Sequence, residues 1–185
     1  MTLTLLLLRH AKSGWDDPTL EDIERPLSPR GIQAAPMMGA YIASERLVPD
    51  LVLCSSAMRT RQTLALMLPH LGLPSPAVVH EHGLYLAAAS ELIDRIRAIA
   101  TGPRRVMLVG HNPGLHAAAM TLAGSGRRHD ITALASKFPT AALAVLTFER
   151  AAWREVRPTT GHLAAFVTPR TLPPAIPPVP GALLD

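Results

Sequence analysis

Residues 2–8, TLTLLLL, constrain this chain more than any other stretch. Four consecutive leucines leave no polar face, so a strand built from them must be covered on both sides. That is the situation of an interior strand in a parallel sheet clad by helices. The run is far short of the roughly 20 apolar residues that span a bilayer. No basic segment precedes it and no small-residue cleavage site follows it, so it does not read as a leader. It stops on Arg9-His10, two residues that a buried strand would hold rigidly at its mouth.

The rest of the chain repeats the scheme. Ser28-Pro29 predicts a helix start, with Ser capping free N–H groups and Pro in the first turn, and the helix is expected to reach about Arg46. Residues 51–54 form a second apolar strand, after which Ser55 or Ser56 is expected to cap a helix carrying Arg59, Thr63, Leu66 and Met67. Val78-Val79 reads as a weaker strand, residues 90–99 as an amphipathic helix and residues 106–109 as a clearly buried strand. Asn112-Pro113 is another cap-plus-Pro helix start, and residues 142–148 and 163–167 read as two late strands. Strands alternating with helices predict an α/β fold, a three-layer sandwich with a largely parallel central sheet flanked by helices. The length of 185 residues suits one domain, taken as residues 1–170. Residues 171–185 form a proline-rich tail that continues neither helix nor sheet and is expected to be extended.

Only 4% of residues are aromatic, so the core must be aliphatic and no stacking platform for nucleic acid is present. The formal charge of +4 permits an anionic ligand, but the longest cationic runs are the pairs Arg104-Arg105 and Arg127-Arg128, which does not favour nucleic acid. Cys54 is the one cysteine, so neither an intramolecular disulfide nor a cysteine metal cluster can form. The chain reads as cytoplasmic, with no membrane partner.

Each clear strand in the first two thirds ends in residues of one chemical kind. The first gives Arg9-His10, the second Cys54-Ser55-Ser56 with Arg59 a helical turn later, and the strand at 106–109 gives His111. In an open parallel sheet, ligands bind beyond the carboxyl ends of the strands, so residues distant in sequence can converge there. Two arginines and two histidines around one point suit a tetrahedral dianion, which the helix N-termini after Ser56 and Asn112 would also favour. A neutral imidazole can attack phosphorus and carry the phosphoryl group, and a second can donate to its oxygens. His10, directly at a strand end, is the better placed nucleophile.

The motifs then show a resemblance. LRHAKS resembles the nucleophile motif of the histidine phosphatase superfamily, SSAMRTRQT (residues 55–63) its second motif and VGHNPG (residues 109–114) its second-histidine motif. Ala11-Lys12-Ser13 in place of a glycine, with ERPLSPRG, GLYLAAASELI, KFPTAALAVLTF and FVTPR, is similar to the SixA-like phosphohistidine phosphatase branch. The resemblance covers most of the chain except the proline tail. It implies that His10 becomes phosphorylated, that Arg9, Arg59 and His111 form the phosphate pocket, and that water then releases phosphate without a metal or organic cofactor. Ser13 and Asn112, within the same motifs, are taken as substrate contacts. The implied partner is a signalling-type protein domain bearing phosphohistidine. Alternatives are a small phosphate ester as substrate, or a phosphate-recognition module without catalysis.

Larger members of the superfamily supply an acid for the leaving alcohol. The candidates are Glu81 and Asp16, with Asp17 beside it, while Gly83 stands where a carboxylate often precedes Leu-Tyr. The acidic loop at residues 14–27 is expected to lie over the pocket entrance. Two rivals are weak. Cys54 to Arg59 is one residue short of the cysteine-phosphatase spacing, and His111 with His116 lacks the helical spacing of a zinc motif.

Overall fold

The computed structural model describes residues 1–72 and 75–172. The proline-rich tail, from residue 173 on, lies outside the described residues. The element order is β1 Thr2–Arg9, α1 Pro29–Ser44, β2 Leu51–Ser55, α2 Met58–Leu71, β3 Ala77–Glu81 and α3 Ala89–Arg97. It continues with β4 Arg105–Gly110, α4 Gly114–Leu122, β5 Ala123–Gly126, α5 Arg128–Ser136, β6 Leu143–Glu149 and β7 Gly161–Val167. One seven-stranded sheet runs β3-β2-β4-β1-β6-β7-β5. Among the described residues no helix is long and apolar enough to cross a membrane.

β1 lies inside this sheet, between β4 and β6. Its alternate side chains point to opposite faces, and each face has its own core. Leu3, Leu5 and Leu7 join Leu53, Val106 and Leu108 under α3 and α4, represented by Leu92, Ile96, Leu115 and Leu122. Leu6 and Leu8 join Val52, Met107 and Val109 under α1 and α2, represented by Met38, Ile42, Leu64 and Met67. Leu5 to Leu8 are all fully buried, which is why the run tolerates no polar residue.

The sheet is parallel from β3 to β1 and mixed beyond it. β1 with β4, β2 with β4 and β2 with β3 pair parallel, so their carboxyl ends share one edge. The late strand β6 runs antiparallel to β1 and β7 antiparallel to β6, while β5 pairs parallel with β7 at the far edge. β5 (AGSG) carries no strand-forming side chains, and β5 and α5 are the two elements that sequence pattern misses.

α3 runs Ala89–Arg97 rather than over 90–99, and three further helix ends differ. α1 closes at Ser44 rather than near Arg46, which stands at a positive φ of 56° beyond it, although Ser28 does cap its start by accepting from Gly31 N–H. Neither Ser55 nor Ser56 caps α2: the helix begins at Met58 after Ala57, and Ser55 turns to His111 instead. α4 begins at Gly114 with Pro113 before it, and Asn112 spends its side chain on the Phe138 carbonyl rather than on a cap.

Gly31 is where α1 meets the chain leaving β1. A Cβ there would stand 2.1 Å from the Lys12 carbonyl oxygen, and that oxygen already accepts from Ser28 N–H and Ser28 Oγ. Gly31→Ala is expected to destabilise the fold by about 1–3 kcal/mol through backbone displacement, read as a lower Tm in calorimetry. An unchanged Tm would show that the helix shifts freely at this point.

Candidate active site

The carboxyl edge of β1, β2 and β4 brings four sequence-predicted residues together. Arg9 is level with Gly110 in the ladder, and His10 N–H donates to the Gly110 carbonyl at 3.1 Å, so His10 and His111 leave adjacent strands side by side. Their rings lie 5.2 Å apart between centroids. Both are nearly sealed from solvent, at 7% and 3% exposure, as is Arg59 at 3%. Arg59 rises from the first turn of α2, and Arg9 Nη1 donates to the Phe138 carbonyl at 2.8 Å.

The hydrogen bonds define the His10 tautomer. His10 Nδ1 lies 2.7 Å from the Ala11 carbonyl, which can only accept. Nδ1 therefore carries the proton, and Nε2 keeps its lone pair. His111 Nε2 lies 2.8 Å from Ser55 Oγ, an oxygen that accepts from Ala57 N–H. The Ser55 hydroxyl can also donate to Nε2, and in that arrangement the His111 proton sits on Nδ1. That Nδ1 is buried and has no partner among the described residues, nor do the Nε atoms of Arg9 and Arg59. Buried donors without partners are costly, and here they converge on one site.

Burial is the main force on both imidazoles. It holds His10 down to about 4 against the opposing bond to Ala11, with Arg59, Arg9 and Arg25 adding repulsion. It holds His111 down to about 3, helped by His10 and Arg59 and opposed by Asp22. Both are neutral at physiological pH. A histidine depressed in the fold contributes stability that is full above its unfolded value near 6.5 and is lost as pH falls toward the folded value. The Tm is therefore expected to fall between pH 6.5 and pH 4.5, and to fall less in a chain with both His10→Ala and His111→Ala. Calorimetry across this window checks it, and equal slopes in the two chains would contradict it.

Asp22 is the residue that sequence reasoning missed. The short 3-10 turn Asp22–Glu24 folds the acidic loop inward, as the expected entrance position allows, and Arg59 Nη2 donates to Asp22 Oδ2 at 2.9 Å. Tyr85 Oη donates to the same oxygen at 2.6 Å, and Arg25 Nε pairs with Oδ1 at 3.1 Å. Partial burial would raise the Asp22 carboxyl, but the bonds from Tyr85 and Arg59 and the two guanidinium charges hold it below its ordinary value. Tyr85 also sets its ring edge-on to His111 at 5.5 Å. Arg25 and Tyr85 both lay within quoted motifs, ERPLSPRG and GLYL, without an assigned role.

Ser13 and Asn112 support the cluster from one step back. The Ser13 hydroxyl accepts from Arg25 Nη2 at 2.9 Å, and Arg25 lies over the Trp15 ring at 3.3 Å. Asn112 Nδ2 donates to the Phe138 carbonyl that also receives Arg9. Neither carboxylate candidate is drawn in. Glu81 is engaged by Arg95 through both oxygens, at 2.6–3.1 Å, and Asp16 stands exposed. Cys54 is buried, and burial pushes its thiol up to about 12, so it offers no thiolate.

A sequence model described as the histidine phosphatase superfamily (branch 1) matches residues 5–84. A solved structure from Agrobacterium tumefaciens, named SixA with phosphohistidine phosphatase as its proposed activity, is 32% identical. It covers 90% of this chain and 97% of its own, with a TM-score of 0.75. The chain belongs to the histidine phosphatase superfamily. Its place is in the SixA-like branch: a second SixA structure of the same proposed activity, from Nakamurella multipartitia, is 28% identical with a TM-score of 0.79 over 91% of this chain and 97% of its own. An uncharacterized protein of Mycobacterium tuberculosis is 38% identical over 165 residues, 88% of this chain and all of that relative. Phosphatase chemistry comes with membership of the histidine phosphatase superfamily, and the α/β sandwich is the fold these SixA structures share.

Proposed function

We propose that this phosphatase hydrolyses phosphohistidine on a protein, passing the phosphoryl group through His10. The His10 Nε2 lone pair attacks phosphorus while the P–N bond to the substrate imidazole breaks. The leaving ring departs neutral when its other nitrogen already carries a proton. Phospho-His10 keeps its Nδ1 proton on the Ala11 carbonyl, which steadies the positive ring. Water then attacks phosphorus, the His10 P–N bond breaks, the electron pair returns to Nε2, and phosphate leaves as dihydrogen phosphate with both water protons. Arg9 and Arg59 neutralise the equatorial oxygens throughout, and His111, with Ser55 donating to Nε2, donates its Nδ1–H to one of them. A cytoplasmic site fits the single buried Cys54.

The observation that carries phosphohistidine over an ester is the state of the nearby carboxylates. An alkoxide needs a proton from an acid as it leaves. Asp22 is held ionised by Arg59, Arg25 and Tyr85, and Glu81 is paired with Arg95. The SixA relatives, whose proposed activity is the same, support the reading. The test compares phosphate release from a phosphohistidine-bearing domain with release from a phosphoserine peptide. The expected kcat/KM ratio is about 10² or more, the usual worth of a general acid. Comparable turnover of the two overturns the reading.

In this reading Asp22 occupies the guanidinium that a phosphoryl group must use. Asp22→Asn is expected to lower KM about three- to tenfold, the scale of one screened charge interaction, with kcat kept within about twofold. Steady-state kinetics check it, and a hundredfold loss of kcat on an ester would make Asp22 the missing acid instead.

A further inference from the structure

A second cationic cleft opens beside the phosphate pocket. It measures about 170 Å³ and is lined by Lys12, Arg30, Lys137 and Arg170, with Pro139 and Thr140 among its walls. Among the described residues none of these four side chains makes an ion pair, whereas Arg25, Arg59, Arg95, Arg97 and Arg127 each face a carboxylate. Nor does any of the four make a side-chain hydrogen bond to the described residues. All four are exposed, so an anion entering this space would meet cations that no described carboxylate already holds.

Topology places this cleft on the catalytic edge of the sheet. β6 runs antiparallel to β1, so residues 137–140, just before β6, lie where β1 ends. β7 runs antiparallel to β6, so Thr168 and Arg170 emerge at the same edge. Arg30 opens α1, whose cap Ser28 is bonded to the Lys12 carbonyl. The two sites share backbone. Phe138 receives Arg9 and Asn112, and Ala141 N–H donates to the His10 and Arg9 carbonyls. Lys12 is two residues beyond His10, so their Cα atoms are at most about 7 Å apart.

We propose that this cleft is a second oxyanion subsite, holding a carboxylate or phosphate group carried by the same substrate whose phosphoryl group meets His10. Guanidinium forks and ammonium groups together suit such an anion. The proposal rests on the reading that His10 receives the phosphoryl group. It deepens that reading by stating what else the substrate must bear: for a phosphoprotein, an acidic side chain near the phosphohistidine; for a small molecule, a second phosphate.

The test uses two substrate pairs, phosphohistidine peptides with a neighbouring Glu or Gln, and a bisphosphate with its monophosphate. Wild type is expected to show a KM about tenfold lower for the doubly charged member of one pair, the worth of one anchored charge-assisted contact, and the responding pair identifies the source. A Lys137→Gln/Arg170→Gln chain should lose that preference while keeping the singly charged kcat/KM within about twofold. Arg30→Gln, an independent variant at another exposed cation, should reduce it in part. Equal KM within both pairs, or an equal loss on both members, overturns the subsite. Titrating His10→Ala with the same pairs repeats the comparison without turnover. There, a tenfold tighter Kd for the doubly charged member supports the cleft even if wild type hydrolyses nothing, and equal Kd values overturn it.

Discussion

A His10→Ala chain is expected to lose phosphate release by about four orders of magnitude or more, the scale seen when a covalent nucleophile is removed. No other described side chain can take over. The His111 Nε2 is occupied by Ser55, and the Cys54 thiol stays protonated because burial pushes it to about 12. Arg9, Arg59 and His111 remain, so the variant should bind oxyanions about as tightly as wild type. Wild type quenched during turnover should carry an acid-labile phosphoryl group on His10, detectable by mass spectrometry at alkaline pH, and the variant should not. Residual turnover within about tenfold of wild type would mean that water attacks the substrate directly and that His10 only binds.

Arg59→Ala should cost about 10²–10³ in kcat/KM, the usual result of deleting one preorganised donor to a developing oxyanion. Lysine should rescue little of it, because a point charge cannot replace the planar fork. The stability effect should be small or favourable. Arg59 is buried and repels the Arg9 guanidinium, so its removal relieves like-charge repulsion while Asp22 keeps Arg25 and Tyr85. Loss of activity together with an unchanged or higher Tm is the expected signature. A collapse of the fold would instead show that the Asp22 bond anchors the acidic loop.

The four central residues were legible because each stands at or just beyond the end of a strand whose apolar run is plain, and parallel strands put such ends together. Their partners were not. Five acidic residues occupy the loop between Gly14 and Leu27, and only the folded turn selects Asp22 to face inward. Asn112 before Pro113 has the local chemistry of a helix cap, but the distant Phe138 carbonyl competes for it and wins. Ser55 likewise gives up a capping role for His111. β5 was invisible because Ala-Gly-Ser-Gly carries no side-chain pattern, and its pairing with β7 decides its state.

The doubly buried leucines of β1 have a further consequence. In most half-exposed strands, a one-residue slip turns apolar side chains to water and is rejected for that reason. Here every position from Leu5 to Leu8 is equally dry, so hydrophobicity alone does not choose the frame. Removing one leucine would shift everything downstream by about 3.3 Å and reverse its facing. The sandwich would still be filled with leucine, yet His10 would stand where Arg9 stood, aimed at the opposite layer. Folding and catalysis are thus specified by different properties of one strand, its greasiness and its length, and a chain of this type can keep the first while losing the second.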